Sequence, residues 1–145
     1  MKIEAKTIEI ETCGGTGTFD ITRQVKDTIF KSGIANGQVV VFTRHTTAAL
    51  AINENEPRLL CDIARHLEAN APIERSYLHD DTHIRGSPAG ERKNGHAHIK
   101  ALSLCASQSI PLIGGQLALG KWQSILFFEL DGGRKREIIV HVMGV

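Results

Sequence analysis

The first segment of the chain alternates polar and apolar residues. The alternation by twos runs over residues 2–11 and slips once in phase between Ala5 and Ile8. A period of two is typical of a strand with one buried face, and the slip predicts a bulge in that strand. Residues 14–17 are rich in glycine and predict a turn, after which residues 18–21 predict a short return strand.

Strands also dominate the rest of the chain. Residues 38–43, Gln-Val-Val-Val-Phe-Thr, form a continuous apolar run rich in β-branched residues, which predicts a strand buried on both faces. The small apolar residues 48–52 predict a further extended segment. In the C-terminal third, glycine turns separate strand-like segments and predict an antiparallel meander. Its strands are predicted at residues 110–113, 116–119, 122–130 and 137–143.

Three segments repeat at helical spacing instead. The first covers residues 22–32 with Thr22 as its cap, and the second covers residues 57–70 with Asn55 as its cap. The third is predicted over residues 98–106. Because strands predominate and helices are inserted between them, the predicted fold class is α+β.

Length and composition fit a single domain over residues 1–145. The 17 basic and 16 acidic residues leave a net charge of +1, so the charge does not indicate a nucleic-acid partner. No apolar run approaches the roughly 20 residues of a membrane span. The odd number of widely spaced cysteines, Cys13, Cys61 and Cys105, predicts buried thiols in a reducing, cytoplasmic setting.

The histidines suggest a metal site. His96 and His98 stand two residues apart directly after the turn signal Asn94-Gly95. On an extended chain both rings point the same way and can bind one ion, whereas on a helix they diverge by about 200°. The metal hypothesis therefore requires extended backbone here, with His45 at a strand end as the third ligand of a zinc site. The alternative is that these are ordinary loop histidines.

The same segment also suggests an anion site. A helix that begins near residues 94–98 exposes free backbone N–H groups at its positive end, close in sequence to Arg92, Lys93 and Lys100. A phosphate group would suit this arrangement. The alternative is that the three basic residues are simply solvated. The polar stretch 77–95 that leads into this helix is longer than a passive connector, which indicates function or mobility.

Two further residues are candidates for chemistry. Glu54 follows an apolar strand, and because Asn55 already caps the next helix, Glu54 is available as a general base or as the partner of a ligand histidine. Arg134 follows a glycine turn, where its guanidinium can hold a phosphate or carboxylate in a bidentate fork. We expect the two to face one pocket. The alternatives are a capping cluster around Glu54 and a solvated turn residue at Arg134.

Four motifs together resemble the YjbQ family, also called the secondary thiamine-phosphate synthase family. The resemblance covers nearly the whole chain in order. The motifs are His45-Thr46-Thr47-Ala48-Ala49-Leu50 with Ile52-Asn53-Glu54-Asn55; Asn94-Gly95-His96-Ala97-His98-Ile99-Lys100-Ala101; Ile110-Pro111 with Gly115-Gln116-Leu117 and Leu119-Gly120-Lys121-Trp122-Gln123; and Glu129 with Asp131-Gly132 and Arg134. The chain departs from the family pattern at Gly133, where proline is common, and at residues 103–105.

The resemblance implies a half-barrel α+β fold, a homotrimer and a polar pocket that binds a divalent metal, zinc or magnesium. It also implies an activity found in some members, which joins a pyrimidine pyrophosphate to a thiazole phosphate with loss of pyrophosphate. The expected catalytic residues are Glu54 and His45, and the expected metal ligands are His45, His96 and His98. The expected ligands of a small phosphorylated substrate are Asn53, Asn94, Lys100, Gln123 and Arg134.

Three functions remain open at this point. The first is an enzyme that displaces pyrophosphate or otherwise acts on phosphate compounds, and for which thiamine-phosphate synthesis is the main or a side activity. The dedicated (β/α)₈ enzymes of that reaction need about 250 residues, so this chain would use an unrelated fold. The second is a hydrolase with a zinc-bound water, and the third is a non-catalytic trimeric protein that binds a metal or ligand.

Overall fold

The computed structural model of the chain describes residues 1–13 and 16–145, so Gly14 and Gly15 of the predicted first turn lie outside the described residues. The strands are β1 (Lys2–Glu11), β2 (Gly17–Asp20), β3 (Gly37–Thr43), β4 (Ala48–Asn53), β5 (Ser107–Ile113), β6 (Gln116–Leu117), β7 (Ser124–Glu129) and β8 (Lys135–Gly144). The helices are α1 (Thr22–Ser32), α2 (Pro57–Asn70), α3 (Thr82–Arg85) and α4 (Gly95–Leu102), and a 3₁₀ turn occupies Leu78–Asp80.

The strands form two antiparallel sheets that curl into a half-barrel, which confirms the predicted α+β class. The five-stranded sheet has the order β1-β8-β3-β5-β6, and the three-stranded sheet has the order β2-β7-β4. A bridge between Leu50 and Cys105 links the two sheets, with the Leu50 N–H donating to the Cys105 carbonyl at 2.7 Å.

The three-stranded sheet is buried on both of its faces. Phe127 of β7 faces the main core, where Val25 and Ile29 of α1 pack against the inner side of the five-stranded sheet. The neighbouring residues Leu126 and Phe128 face the opposite way, into a second core beneath α2 and α4. Helices α2 and α4 are therefore fixed over the outer face of this sheet, and the loops that precede α4 lie beside the end of β7.

The C-terminal strands occur where they were predicted, but they do not form a meander. Only β5 and β6 pair as a hairpin. Strand β7 joins the other sheet between β2 and β4, and β8 lies between β1 and β3. Likewise, β2 pairs with β7 rather than returning along β1. The turns separate the strands as expected, but the partner of each strand is set by tertiary packing.

Two predictions about the N-terminal strands need correction. Strand β1 pairs with β8 without a break from Lys2 to Glu11, so it contains no bulge. Its phase slip arises because Ile3 lies on the outward face of the sheet, whereas Ile8 lies on the core face. Strand β3 is buried on one face only within the chain: Val39 and Val41 are buried, and Phe42 is 38% exposed on the outward face.

The helix ends also differ in part from prediction. Helix α2 begins at Pro57 as expected, but its cap is Glu56, which accepts hydrogen bonds from the Arg58 and Leu59 N–H groups at 2.9 and 2.8 Å. The Asn55 side chain instead donates to Asp20. The predicted cap Thr22 is the first residue of α1, and its N–H donates to the Asp20 carboxylate at 2.9 Å. Helix α4 begins at Gly95, three residues before the predicted start.

The three cysteines are free, as predicted, but all three are exposed rather than buried. In the part of the chain that the structure describes, no helix is both long and apolar enough to cross a membrane.

Candidate functional site

A buried ion pair forms the base of the candidate site. Glu129, at the end of β7, is 1% exposed, and Arg136 of β8 is 3% exposed. The Arg136 Nε and Nη2 atoms donate to the two carboxylate oxygens of Glu129, each at 2.6 Å. Thr12 Oγ1 also donates to Glu129, and Arg136 Nη2 donates to Thr47 Oγ1 at 3.0 Å. Burial alone would raise the pKa of Glu129, but these hydrogen bonds outweigh it and lower the pKa to about 2.

Glu129 also shapes the turn that follows β7. Its Oε1 atom accepts hydrogen bonds from the backbone N–H groups of Asp131 and Gly132 at 3.0 and 3.1 Å. These bonds hold the Asp131 carboxylate in place, where it accepts from Asn94 Nδ2 at 3.1 Å and from Arg134 Nη2 at 2.5 Å. The structure therefore brings together the predicted residues Asn94 and Arg134 through a buried carboxylate that connects them.

Sequence reasoning missed Asp131 as a site residue. The run Asp131-Gly132-Gly133 is one of the glycine turns predicted in the C-terminal third, because Asp-Gly is a strong turn signal. It does form a turn, with Gly132 and Gly133 at φ of 89° and 44°. The signal that could have identified the site is the acidic Glu129 at the end of an otherwise apolar strand, since a buried carboxylate needs several donors and these donors organise the residues around it.

A polar cavity of about 520 Å³ lies between α2, the start of α4 and the turn after β7. Lys100 is its most buried cation, and Lys100 Nζ pairs with Glu68 of α2 at 2.5 Å. Arg92 is held over the turn because its Nη1 atom donates to the Gly132 carbonyl at 2.8 Å. The residues that line the cavity are Thr16, Glu68, Ile73, Arg92, Lys93, His96, Lys100 and Asp131. The three basic residues predicted from sequence therefore do meet in one place.

The N-terminus of α4 differs from the predicted anion site. The Gly95 N–H donates to Asp80 Oδ1 at 2.8 Å, and the Ala97 and His98 N–H groups donate to the Asn94 carbonyl. A carboxylate of the chain itself thus occupies the position at which a phosphate was expected. Any phosphate in the cavity would be bound mainly by side chains.

The predicted metal trio is not assembled in this structure. His96 and His98 lie on α4 rather than on extended backbone, so their side chains point in directions about 200° apart. His96 lines the polar cavity, whereas His98 lines a separate apolar cavity together with His45. The extended conformation predicted for this pair is wrong, because α4 starts before His96. In the single chain, His96 therefore faces a different cavity from the one that His45 and His98 line.

His45 has a structural role at the end of β3. Its Nε2 atom accepts the backbone N–H of Glu137 at 3.0 Å, which extends the β3–β8 pairing by one bond beyond Thr43. Burial first, and then the nearby Arg136 charge, lower the pKa of His45 and favour this neutral acceptor form. The pKa of His96 is lowered in the same way, by burial and then by the charge of Lys100.

The remaining predicted residues lie at the other end of β7. Asn53 pairs with Ser124 at the start of β7, and Glu54 and Gln123 adjoin this pair. The six residues of β7 span about 17 Å, so this group is far from Asp131. Gln123 Oε1 accepts the Gly120 N–H at 2.8 Å, and Glu54 does not line the polar cavity. Within one chain, the prediction that Glu54 and Arg134 share a pocket is wrong.

Fold and site together define the class of protein: a small α+β half-barrel with a polar cavity where one sheet meets α4. Residues 6–145 match the family model described as UPF0047 protein YjbQ-like, and the chain belongs to this family. It is 41% identical over 144 residues to a UPF0047 protein of Methanothermobacter thermautotrophicus, which covers 99% of this chain and 94% of that protein. It is also 36% identical over 140 residues to the UPF0047 protein YugU of Bacillus subtilis, and this match covers 96% of this chain and 98% of that protein.

The fold is shared with solved structures. A protein of Sulfolobus solfataricus described as YbjQ-like and of unknown function superposes with a TM-score of 0.88 at 34% identity, and 99% of each chain is covered. A hypothetical protein of Aeropyrum pernix superposes with a TM-score of 0.86 at 33% identity, with 98% of this chain and 99% of that chain covered.

Proposed function

We propose that the polar cavity beside α4 binds the phosphate or pyrophosphate group of a small molecule, and that the protein is an enzyme acting on such compounds. The observation that carries the proposal is the convergence of Lys100, Arg92, Lys93 and His96 on one cavity. Charge-assisted hydrogen bonds from cations are the strong interactions that proteins use for phosphate, and they gain strength where water is partly excluded.

The candidate reaction is the transfer that forms thiamine phosphate. The thiazole nitrogen attacks the methylene carbon of the pyrimidine pyrophosphate, a C–N bond forms, the C–O bond breaks, and pyrophosphate leaves with the bonding electrons. Lys100 and Arg92 would neutralise the charge that develops on the leaving group. His96, kept neutral by burial, would donate to or accept from the substrate, while Asp131 holds Asn94 and Arg134 in position.

Pyrophosphate binding and turnover test this proposal separately. We expect isothermal titration to show pyrophosphate binding that Lys100→Met weakens by about tenfold or more, because one charge-assisted contact contributes about 1.5–3 kcal/mol. Lys26→Met is the matched control, since Lys26 lies exposed on α1, and it should bind as the wild type does. Turnover is then measured with both thiamine precursors.

Absence of pyrophosphate binding at millimolar concentration, or equal affinity in Lys100→Met and the wild type, overturns the site. Binding without turnover on thiamine precursors and simple phosphate esters would make the protein a non-catalytic binding protein instead. Thermal unfolding of each variant distinguishes a lost contact from a lost fold.

We also propose a homotrimer, built on the outward face of the five-stranded sheet. The register of β1, β8, β3 and β5 places seven apolar side chains on this face, interspersed with polar residues, although the face is open to solvent in the single chain. They are Ile3, Val40, Phe42, Pro111, Ile113, Ile139 and Met143. A second copy that covers this face would bury β3 on both sides, which is what its uninterrupted apolar sequence favours.

We propose a cytoplasmic location because of the state of the cysteines. Cys13, Cys61 and Cys105 are free and exposed, and exposed thiols persist where the compartment keeps them reduced.

A further inference from the structure

Lys100 of α4 and Glu68 of α2 form an ion pair whose two partners differ strongly in exposure. Lys100 Nζ lies 2.5 Å from Glu68 Oε2, and the Lys100 side chain is 5% exposed whereas the Glu68 side chain is 48% exposed. A buried ammonium needs a counter-charge, because leaving it unpaired away from water is costly. In the free protein Glu68 supplies that counter-charge, so the most buried cation of the proposed phosphate site is already occupied by a carboxylate of the chain itself.

Glu68 can leave this position at a smaller cost than Lys100 can. The second Glu68 oxygen, Oε1, accepts the Ile73 N–H at 2.9 Å in an exposed hydrogen bond. If the Glu68 side chain rotates outward, water can hydrate both its carboxylate and the Ile73 N–H. The Lys100 side chain is almost fully buried, so its ammonium stays in the cavity. An anion that enters the cavity therefore displaces Glu68 and takes over the pairing with Lys100.

The charges that line the polar cavity indicate which anion can displace Glu68. Three basic and two acidic side chains line it, namely Arg92, Lys93, Lys100, Glu68 and Asp131. With Glu68 in place these side chains carry one net positive charge, and with Glu68 rotated outward the remaining ones carry two. A phosphate monoester carries about two negative charges near neutral pH and matches the second state. A diester or a carboxylate carries only one, so it would merely exchange one single negative charge for another.

We propose that Glu68 is a specificity-determining residue, which occupies Lys100 in the free protein and is displaced by a phosphate group that carries at least two negative charges. The ligand class is then a phosphate monoester or a pyrophosphate ester, and diesters and carboxylates are excluded. This inference rests on the proposed phosphate site and adds the residue that sets its charge requirement. Because Glu68 competes with the ligand for Lys100, removal of the Glu68 charge should affect binding in the opposite direction to removal of Lys100.

Titration calorimetry of Glu68→Gln with pyrophosphate tests this role. The variant should bind pyrophosphate about tenfold or more tightly than the wild type, since Lys100 is free and the Glu68 charge no longer repels the ligand. Its thermal unfolding temperature should be lower, because Lys100 then lacks a counter-charge. A contact that only supports the fold would lower both stability and affinity. Glu74→Gln is the matched control, since Glu74 is exposed and lines a different cavity, and its affinity should equal that of the wild type.

Methyl phosphate and dimethyl phosphate provide a second measurement that needs no substitution. In a mildly alkaline buffer the first is a dianion, and the second is a monoanion of similar size. The wild type should bind methyl phosphate and show no binding of dimethyl phosphate at the same concentration, whereas Glu68→Gln should bind both. Equal affinity of the wild type for the two compounds, or no binding of either, contradicts the proposed ligand class.

The outcomes distinguish this inference from the proposed function. If the wild type does not bind pyrophosphate, the phosphate site is wrong and so is the role of Glu68. If the wild type binds pyrophosphate but Glu68→Gln binds it equally or more weakly, the phosphate site stands and the role of Glu68 alone is wrong.

Discussion

Among individual residues, Glu129 contributes most to the organisation of the site. Removing a carboxylate and a guanidinium from water costs several kcal/mol, and this cost is offset only when every donor and acceptor is satisfied. Glu129 satisfies its two oxygens with Arg136, Thr12 and two backbone N–H groups. The pair therefore ties the ends of β7 and β8 to the turn that carries Asp131.

We expect Glu129→Gln to lower the free energy of unfolding by about 3 kcal/mol at pH 7, because Arg136 is left buried without a counter-charge. Urea denaturation measures the change. Glu137→Gln serves as the control, since the Glu137–Arg44 pair is exposed and should contribute less than about 1 kcal/mol. Equal losses in the two variants would mean that the buried pair is not needed for stability.

The same pair predicts how stability depends on pH. The unfolded chain takes up a proton on Glu129 near its ordinary pKa of 4.5, whereas the folded protein keeps it ionised until the pKa of about 2. The unfolded state thus binds more protons between these values, and stability falls as pH falls. The wild type should lose about 3 kcal/mol over this range from Glu129 alone. Glu129→Gln should show a correspondingly shallower dependence in urea titrations between pH 5 and pH 2.

Among the secondary-structure elements, α4 shows most clearly where local patterns were insufficient. Asn94-Gly95 is a strong turn signal, and the apolar positions after it favoured a helix from residue 98. Helix α4 instead begins at Gly95, whose N–H is capped by Asp80 from 15 residues earlier. A short sequence segment around residue 95 does not include Asp80, so local patterns cannot predict this contact. The helical start separates His96 from His98 and brings His98 against His79.

Gly95→Ala tests the docking of residues 77–80 on α4. The new Cβ would lie 2.5 Å from the Tyr77 Cβ. Relieving this clash should lower the free energy of unfolding by about 1–3 kcal/mol, which exceeds the roughly 1 kcal/mol that alanine gains over glycine in a helix. Hydrogen exchange should accelerate in residues 77–85. Gly120→Ala is the control, since its Cβ would meet only the Gln123 side chain at 3.4 Å. Unchanged exchange in Gly95→Ala would show that Tyr77 does not hold this segment in place.

For the whole molecule, the outward face of the five-stranded sheet predicts assembly. Light scattering of the wild type should give three times the 15.9 kDa chain mass. Phe42→Glu should dissociate the trimer while circular dichroism stays native, because a charge cannot be buried between apolar sheets without a partner. The matched control is Phe30→Glu, which changes a phenylalanine that is 87% exposed on α1. A wild-type monomer, or a trimer that survives Phe42→Glu, refutes this interface.

Local sequence patterns were sufficient to predict most strands and helices and the class of fold. Helix α2 is recognisable from its apolar spacing, and the strands β3, β4 and β7 are recognisable from their apolar runs, because these patterns reflect burial within a single element. The four motifs were sufficient to identify the family. The clustering of Arg92, Lys93 and Lys100 was also visible, since these residues lie within one short stretch of the chain.

Tertiary structure decided which elements are neighbours, and with them the site. Strand β8 lies between β1 and β3, and β7 joins the second sheet, because strand pairing is settled by contacts between distant segments. That arrangement brings Arg136 of β8 against Glu129 of β7, and it leaves Glu54 at the far end of β7. The same contacts bring His79 to His98. Periodicity reports the environment of a residue within its own element, and it carries no information about which distant residue completes that environment.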